Sequence, residues 1–177
     1  MSTKAYTRLE LAADQLYAAV CLFITGRDRF SVITLAGAAD VILSRLVLNS
    51  GQENFTDSIA QMEVEKGGPE RTRAIVGKAV NDMLLINEIK HFDPGDDGAV
   101  TVSDLDECAF AAILKGMTNY VTLAGRQEDW VMAFFLWVQE NMDPNKYNVK
   151  FDPKWSSTAQ EEPSHAFSHI VEGRRVR

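Results

Sequence analysis

The sequence predicts an all-α protein, an up-and-down bundle of five or six helices. Apolar residues recur at helical spacing along most of the chain, capping residues and glycines separate these stretches, and only residues 99–102 alternate as a strand would. A chain of 177 residues with 46% hydrophobic and 24% charged residues is large enough for one core. We expect a helical bundle domain over residues 1–145 and an irregular tail over residues 146–177, where the periodicity is lost.

The first two predicted helices follow from apolar spacing. Residues 9–24 place apolar side chains on one face, and Gly26 is positioned to end that helix. Ser31 is a suitable cap for the second helix, whose apolar stripe is wide and continues to Leu46. This helix also contains a run of small residues, which predicts that another helix can approach it closely there. They are Ala36, Gly37, Ala38 and Ala39.

The middle of the chain predicts three further helices. A short one covers residues 54–62 and is followed by the break Lys-Gly-Gly-Pro. Pro69 suits the first turn of the next helix, which we expect to reach His91 without interruption. The run Ser-Asp-Leu-Asp from Ser103 has the spacing of a capping box and predicts a helix that Gly125 closes.

The last predicted helix, residues 128–141, is apolar nearly all round. Its large side chains are Trp130, Phe134, Phe135 and Trp137. Such a pattern is typical of a helix that is buried on two sides or shared with a partner subunit, more often than of a ligand-binding box. We therefore expect a homodimer, formed through residues 130–138 or through the helix that carries residues 36–39.

Charge and cysteine content limit the partners and the compartment. The formal charge of -7 disfavours broad binding to nucleic acids, because their phosphates require a positive surface. The charged N-terminus does not resemble a signal peptide, and we expect no apolar stretch long enough to cross a membrane. Cys21 and Cys108 lack a metal-ligand spacing, so we expect free thiols in a reducing cytosol. The chain is therefore expected to be cytoplasmic, away from membranes, and without a cofactor.

One candidate site is centred on His91, at the end of the fourth predicted helix. Basic residues precede it in the sequence: Arg71, Arg73, Lys78 and Lys90. A neutral imidazole can take the proton from a ribose hydroxyl while a cation stabilises the phosphorane, as a metal-independent ribonuclease requires. The alternative is a structural histidine at a helix C-terminus, where the dipole favours the positive form. The structural interpretation is favoured, because a single histidine is usually structural or solvated.

A second candidate site is a degenerate EF-hand loop of twelve positions. The oxygen ligands would come from Asp93, Asp97, Thr101 and Asp104, and Gly98 stands where such loops turn sharply. Gly95 falls where a carboxylate or amide is wanted, and Asp104 lacks the reach of a bidentate glutamate. The favoured alternative is an acidic turn between two helices that supplies helix caps.

The C-terminal residues offer weaker candidates. His165 and His169 are four positions apart, as two metal ligands on one helical face would be, but no nearby Glu or Cys completes a set. A basic end is formed by Arg174, Arg175 and Arg177. We expect solvated histidines and a mobile terminus.

Three segments together resemble a family of small helical bacterial proteins of uncharacterised function, over about residues 9–142. They are Leu-Phe-Ile-Thr-Gly-Arg-Asp-Arg-Phe-Ser-Val-Ile-Thr-Leu-Ala-Gly-Ala-Ala-Asp-Val-Ile-Leu, then Asn-Glu-Ile-Lys-His-Phe-Asp-Pro, then Phe-Phe-Leu-Trp. More distantly, the Asn and Lys-His at a helix end are similar to the HEPN superfamily, whose active members cleave RNA through an Arg followed after four to six residues by His. The resemblance implies that His91 is the HEPN histidine and Asn87 the polar residue after the Arg, but Ile86 stands where the Arg should be. It therefore implies the fold more than the nuclease activity.

The expected function is binding or regulation without catalysis. One alternative is a HEPN-type ribonuclease that uses His91 with Asn87 and a displaced cation such as Lys90 or Arg73. Another alternative is a calcium-binding module built on residues 93–104.

Overall fold

The computed structural model describes residues 3–91, 95 and 98–143. These residues form helices and no strand, which confirms the all-α class: α1 (Arg8–Ile24), α2 (Arg29–Asn49), α3 (Phe55–Glu65), α4 (Arg73–Met83), α5 (Ile86–Lys90), α6 (Leu105–Ala124) and α7 (Asp129–Asn141). They fall into two compact units that meet in sequence at Ala124 and Gly125, with α1 to α6 in the first and α7 in the second. The predicted tail, residues 146–177, lies outside the described residues.

The core of the first unit is built around α2, which packs against α1 on one side and α6 on the other. Only four residues separate α1 from α2, so the two form an antiparallel hairpin. Gly116 lets α6 come close, because a Cβ there would lie 3.1 Å from Leu16 Cδ1 and 3.6 Å from the Ala36 carbonyl oxygen. The largest fully buried side chains of these three helices are apolar: Phe110, Leu16, Ile33, Leu43, Ile113, Met117, Val20, Val32 and Val47.

Three helix starts differ from the predicted ones by one to four residues. The carboxylate of Asp28, not Ser31, caps α2 by accepting from the Phe30 and Ser31 amides at 3.2 and 3.0 Å. Thr72, not Pro69, caps α4. For α6 the Asp104 carboxylate accepts from the Glu107 amide at 2.9 Å, one residue later than the Ser103 start. Each of these segments offers neighbouring capping residues, and spacing alone does not choose between them.

The uninterrupted helix predicted up to His91 is wrong. Helix α4 ends at Met83, and a separate helix, α5, begins at Ile86. Leu85 adopts a left-handed conformation with φ of 60°, which costs a non-glycine residue about 1–2 kcal/mol. Burial offsets that cost, because Leu84 and Leu85 are only 7% and 8% exposed. The break redirects the chain so that α5 packs on α2.

The close helix approach predicted at residues 36–39 is confirmed, and its partner is α5 of the same chain. A Cβ on Gly37 would lie 2.9 Å from Ile86 Cγ2 and 3.3 Å from Lys90 Nζ. Ala36 and Ala39 are fully buried within one chain. This part of α2 is therefore covered within one chain, and the homodimer stays a prediction.

The second unit contributes α7, whose buried residues are Val131, Ala133, Phe134 and Val138. The Phe134 and Phe135 ring centroids are 5.6 Å apart, and the Arg126 guanidinium lies 5.8 Å from the centre of the Phe135 ring. Trp130 and Trp137 are half-buried. The predicted aromatic helix is thus present, with polar residues at its exposed positions 139 and 140.

By length and composition α2 could cross a membrane, contrary to the expectation that no apolar stretch is long enough. The central helix of a bundle meets the same test, so this finding is weak evidence for a membrane. In the first unit α2 is the helix that α1 and α6 cover, and its one buried carboxylate, Asp40, is paired with Lys115.

Replacing Gly37 by alanine tests the close packing of α5 on α2. The new methyl group would crowd Ile86, and overpacking of this kind costs about 1–3 kcal/mol, more than the helix propensity gained. Gly77→Ala is the matched control, because its Cβ would meet Thr56 Cγ2 at an ordinary 3.6 Å. Urea denaturation should show a lower unfolding free energy for Gly37→Ala and an equal or higher one for Gly77→Ala. The reverse order would contradict the packing.

Candidate functional site

Three of the buried polar side chains of the first unit, Asp40, Lys115 and Asn119, meet between α2 and α6. The Lys115 ammonium of α6 donates to Asp40 Oδ2 and also to Asn81 Oδ1, at 2.9 Å. Asn119 Nδ2, one turn further along α6, donates to Asp40 Oδ1 at 2.7 Å. Asp40, Lys115 and Asn119 are 4%, 3% and 1% exposed. We call Asp40, Asn81, Lys115 and Asn119 the Asp40 cluster.

The Asp40 cluster also holds the start of α3. Asn119 Oδ1 accepts from the Phe55 amide at 2.8 Å, and this amide is the first of α3. The first amides of a helix have no partner within the helix, so the bond satisfies a donor that burial would otherwise leave unpaired. Since Asn81 belongs to α4, the cluster joins α2, α3, α4 and α6.

The sequence analysis did not identify the Asp40 cluster, although the sequence contains an indication of it. Asp40 stands within the apolar stripe of α2, and Lys115 stands within the apolar run of α6. Charged residues are almost never fully buried unless they are paired, so one acid and one base on two apolar faces predict an ion pair. Both carboxylate oxygens of Asp40 accept hydrogen bonds, so the buried charge is fully paired.

Lys90, a predicted site residue, is directed toward this cluster. Its ammonium lies beside Gly37, one turn before Asp40 on α2. Burial lowers the pKa of Lys90 below its usual value, the Asp40 carboxylate opposes that shift, and the Lys115 ammonium adds to it. The residue as a whole remains exposed. The Lys90 ammonium therefore interacts electrostatically with Asp40 and Lys115.

The other two predicted catalytic residues have separate surroundings. His91 is exposed at the end of α5, where its amide donates to the Asn87 carbonyl oxygen at 2.9 Å. Its imidazole makes no hydrogen bond or ion pair with the part of the chain that the structure describes. The Asn87 side chain donates to Asp82 Oδ1 at 2.6 Å. Asn87, Lys90 and His91 are neighbours in sequence, but their side-chain contacts do not bring them together.

Three basic residues before His91 are paired with carboxylates. Arg71 binds Glu63 at 2.5 Å and Arg73 binds Asp57 at 2.5 Å, so both guanidinium groups contact α3. Lys78 binds Asp82 at 2.6 Å within α4. The Lys78 ammonium and Asn87 lower the pKa of Asp82 below its usual value. Of the four cations named for phosphate chemistry, Arg71, Arg73 and Lys78 thus have carboxylate partners.

The candidate calcium loop is only partly described. Asp104 caps α6, which is the role that the alternative interpretation gives to the acidic turn. Thr101 is exposed, and Asp93 and Asp97 lie outside the described residues. Gly95 and Gly98 have φ of 106° and 78°, conformations that favour glycine. Among the described residues, no three His, Cys, Asp or Glu side chains are grouped so that they could hold a metal ion. The histidine pair His165 and His169 also lies outside the described residues.

A groove of about 440 Å³ lies where the ends of α4 and α5 face residues 99–103 and the start of α6. Its walls include Asp82, Met83, Leu85, Glu88 and Cys108, and none of the described residues that line it is cationic. Burial raises the pKa of the Cys108 thiol, and the carboxylates of Asp104 and Glu107 raise it further. The negative potential of nearby carboxylates therefore reaches the groove. Sequence analysis missed the groove, because its walls come from separate segments.

The two cysteines are free, as predicted, and both are half-buried. Burial raises the pKa of the Cys21 thiol, while a hydrogen bond with Tyr17 opposes that shift. Both thiols are therefore less ionised at neutral pH than an exposed cysteine, and neither has the lowered pKa of an activated nucleophile.

No protein-family model, no curated protein and no solved structure matches this chain. The resemblance to helical bacterial proteins and to the HEPN superfamily therefore stays a prediction.

Removing one charge of the Asp40 cluster should strongly destabilise the protein. Lys115→Met leaves a buried carboxylate without its counter-ion, and breaking a buried pair in this way costs about 3–5 kcal/mol. Adding Asp40→Asn removes the second charge while keeping an oxygen for Asn119, so the double variant should recover part of the loss. Chemical denaturation of both variants measures this coupling.

Lys78→Met provides the control, because it makes the same substitution in an exposed ion pair. Its stability should stay close to that of the unmodified protein. Equal losses for Lys78→Met and Lys115→Met would contradict the structural role of the cluster.

Proposed function

We propose that this chain is a helical binding module that works without catalysis. The observation that carries the proposal is that no cation among the described residues bonds to the His91 imidazole. A histidine that cleaves a phosphodiester needs a nearby positive group to stabilise the charge that develops on phosphorus. Ile86 occupies the position where the HEPN resemblance would place that group.

The partners of the remaining cations support the same conclusion. Arg73, which could have replaced the missing arginine, binds Asp57 on α3, and Arg71 binds Glu63. Lys90 lies beside Gly37 and shares the field of Asp40 and Lys115. Moving Arg71 or Arg73 to His91 would break an ion pair with α3.

The groove beside α4 and α5 supports a binding role. Its volume of about 440 Å³ is within the range of roughly 300–1,000 Å³ that is usual for ligand sites. Met83 on its wall is 74% exposed, and exposed large apolar side chains beside a concave surface favour association with another molecule. We propose that this groove is the binding surface.

A cytoplasmic location and a homodimer belong to this proposal. The free thiols Cys21 and Cys108 favour a reducing compartment. The half-buried aromatic residues Trp130 and Trp137 on α7 favour a shared surface between two chains. Calcium binding by residues 93–104 is the second candidate function. It predicts that millimolar calcium raises the melting temperature of the protein, since a ligand that binds only the native state stabilises that state.

An RNA cleavage assay tests the absence of catalysis. The protein and its His91→Ala variant are incubated at micromolar concentration with a mixed RNA pool in the presence of a metal chelator. We expect no cleavage by either protein, because none of the described residues supplies the His91 imidazole with a cation that could stabilise the transition state. Cleavage that is present in the unmodified protein and absent in His91→Ala would contradict the proposal and favour the HEPN-type ribonuclease.

A further inference from the structure

The outer face of α4 carries an apolar stripe that the first unit does not cover. Within α4 only Val76 is fully buried, whereas Ile75 and Met83 are 53% and 74% exposed. Ile75, Ala79 and Met83 are spaced four residues apart, so they lie along one side of the helix, and Ala79 is exposed as well. A surface helix of a monomer normally turns such a stripe inward.

The stripe leads directly into the groove, because Met83 belongs to both. The stripe covers about 12 Å along the axis of α4, which is about two helical turns. The groove adds a concave end with room for one or two large side chains. Stripe and groove together form a continuous surface, which we call the α4 surface.

The charge of the α4 surface identifies the chemistry of its partner. Asp82 and Glu88 line the groove, and the carboxylates of Asp104 and Glu107 act on Cys108 in its wall. Lys78 neutralises Asp82, but Glu88 is exposed and forms no ion pair with the described residues. A cationic side chain that enters the groove therefore meets an unneutralised carboxylate, whereas a phosphate is repelled.

We propose that the α4 surface binds a protein segment that carries arginine or lysine next to bulky apolar side chains. The apolar side chains cover Ile75, Ala79 and Met83, and the cation enters the groove beside Glu88. This inference rests on the proposed binding function and names its partner class. Charge complementarity favours this partner over a nucleic acid, and the carboxylates of Asp82 and Glu88 disfavour the same acidic surface of a second copy.

Fluorescence anisotropy with synthetic peptides tests the inference. The probe is a labelled 12-residue peptide of leucine, alanine and arginine, in which leucines recur every three or four positions and two arginines stand at one end. Two matched peptides replace the arginines by glutamate or the leucines by serine. The full chain should bind the first peptide saturably and each matched peptide about tenfold more weakly or not at all.

Variants of the chain locate the binding. Glu88→Lys and Met83→Ser alter exposed residues, so both should fold, and each should weaken binding of the first peptide by about tenfold. Asp14→Lys is the matched control with the same change of charge. Asp14 is exposed on α1, which packs on α2 and α6 and contributes no residue to the α4 surface. Its binding should be unchanged.

The inference would be overturned by equal binding of the arginine and glutamate peptides or by no binding of the arginine peptide. Binding that Glu88→Lys and Met83→Ser leave unchanged would also overturn it. A homodimer in light scattering that Met83→Ser abolishes would assign the α4 surface to a second copy and overturn it as well. Failure of this inference can be distinguished from failure of the proposed function. RNA cleavage that persists with a chelator and depends on His91 would contradict the proposed function, whereas the peptide and light-scattering results contradict only the partner class.

Discussion

The buried ion pair between Asp40 and Lys115 is the interaction on which the rest of the first unit depends. Two charges at 4% and 3% exposure are tolerated only when they neutralise each other and their remaining hydrogen-bonding positions are used. Asn119 and Asn81 use those positions, and Asn119 in turn holds the first amide of α3. One carboxylate therefore fixes how α2, α3, α4 and α6 face one another.

This inward arrangement of polar groups affects which charged and apolar residues remain at the surface. Lys115 pairs with Asp40 in the core, and Arg73 pairs with Asp57 on α3, so carboxylates of the same unit neutralise both cations. The break at Leu85 brings α5 onto α2 and leaves Met83 exposed at the end of α4. The same break thus creates a groove with acidic and apolar residues in its walls, which is the surface that we propose for recognition.

Local patterns predicted most of the helices, and tertiary contacts decided what they missed. The apolar periodicity of α1, α2, α6 and α7 is a property of each segment, and the small residues around Gly37 correctly indicated a close helix approach. The break at Leu85 has no local cause, because leucine favours helices and only burial supports its left-handed conformation. Asp40 and Lys115 are visible as charges on apolar faces, but they stand 75 residues apart, and pairing them requires knowing that α2 faces α6. The groove is assembled from separated segments, so no single stretch of sequence contains it.

Hydrogen exchange in Lys115→Met tests most directly whether one buried ion pair organises the bundle. The account predicts that amides of α2, α6, the first turn of α3 and the part of α4 near Asn81 lose protection together, because all four depend on the same carboxylate and its partners. The exposed substitution Lys78→Met should leave the protection of these helices unchanged. Loss of protection confined to α6 around residue 115, with α3 and α4 as protected as before, would contradict the account.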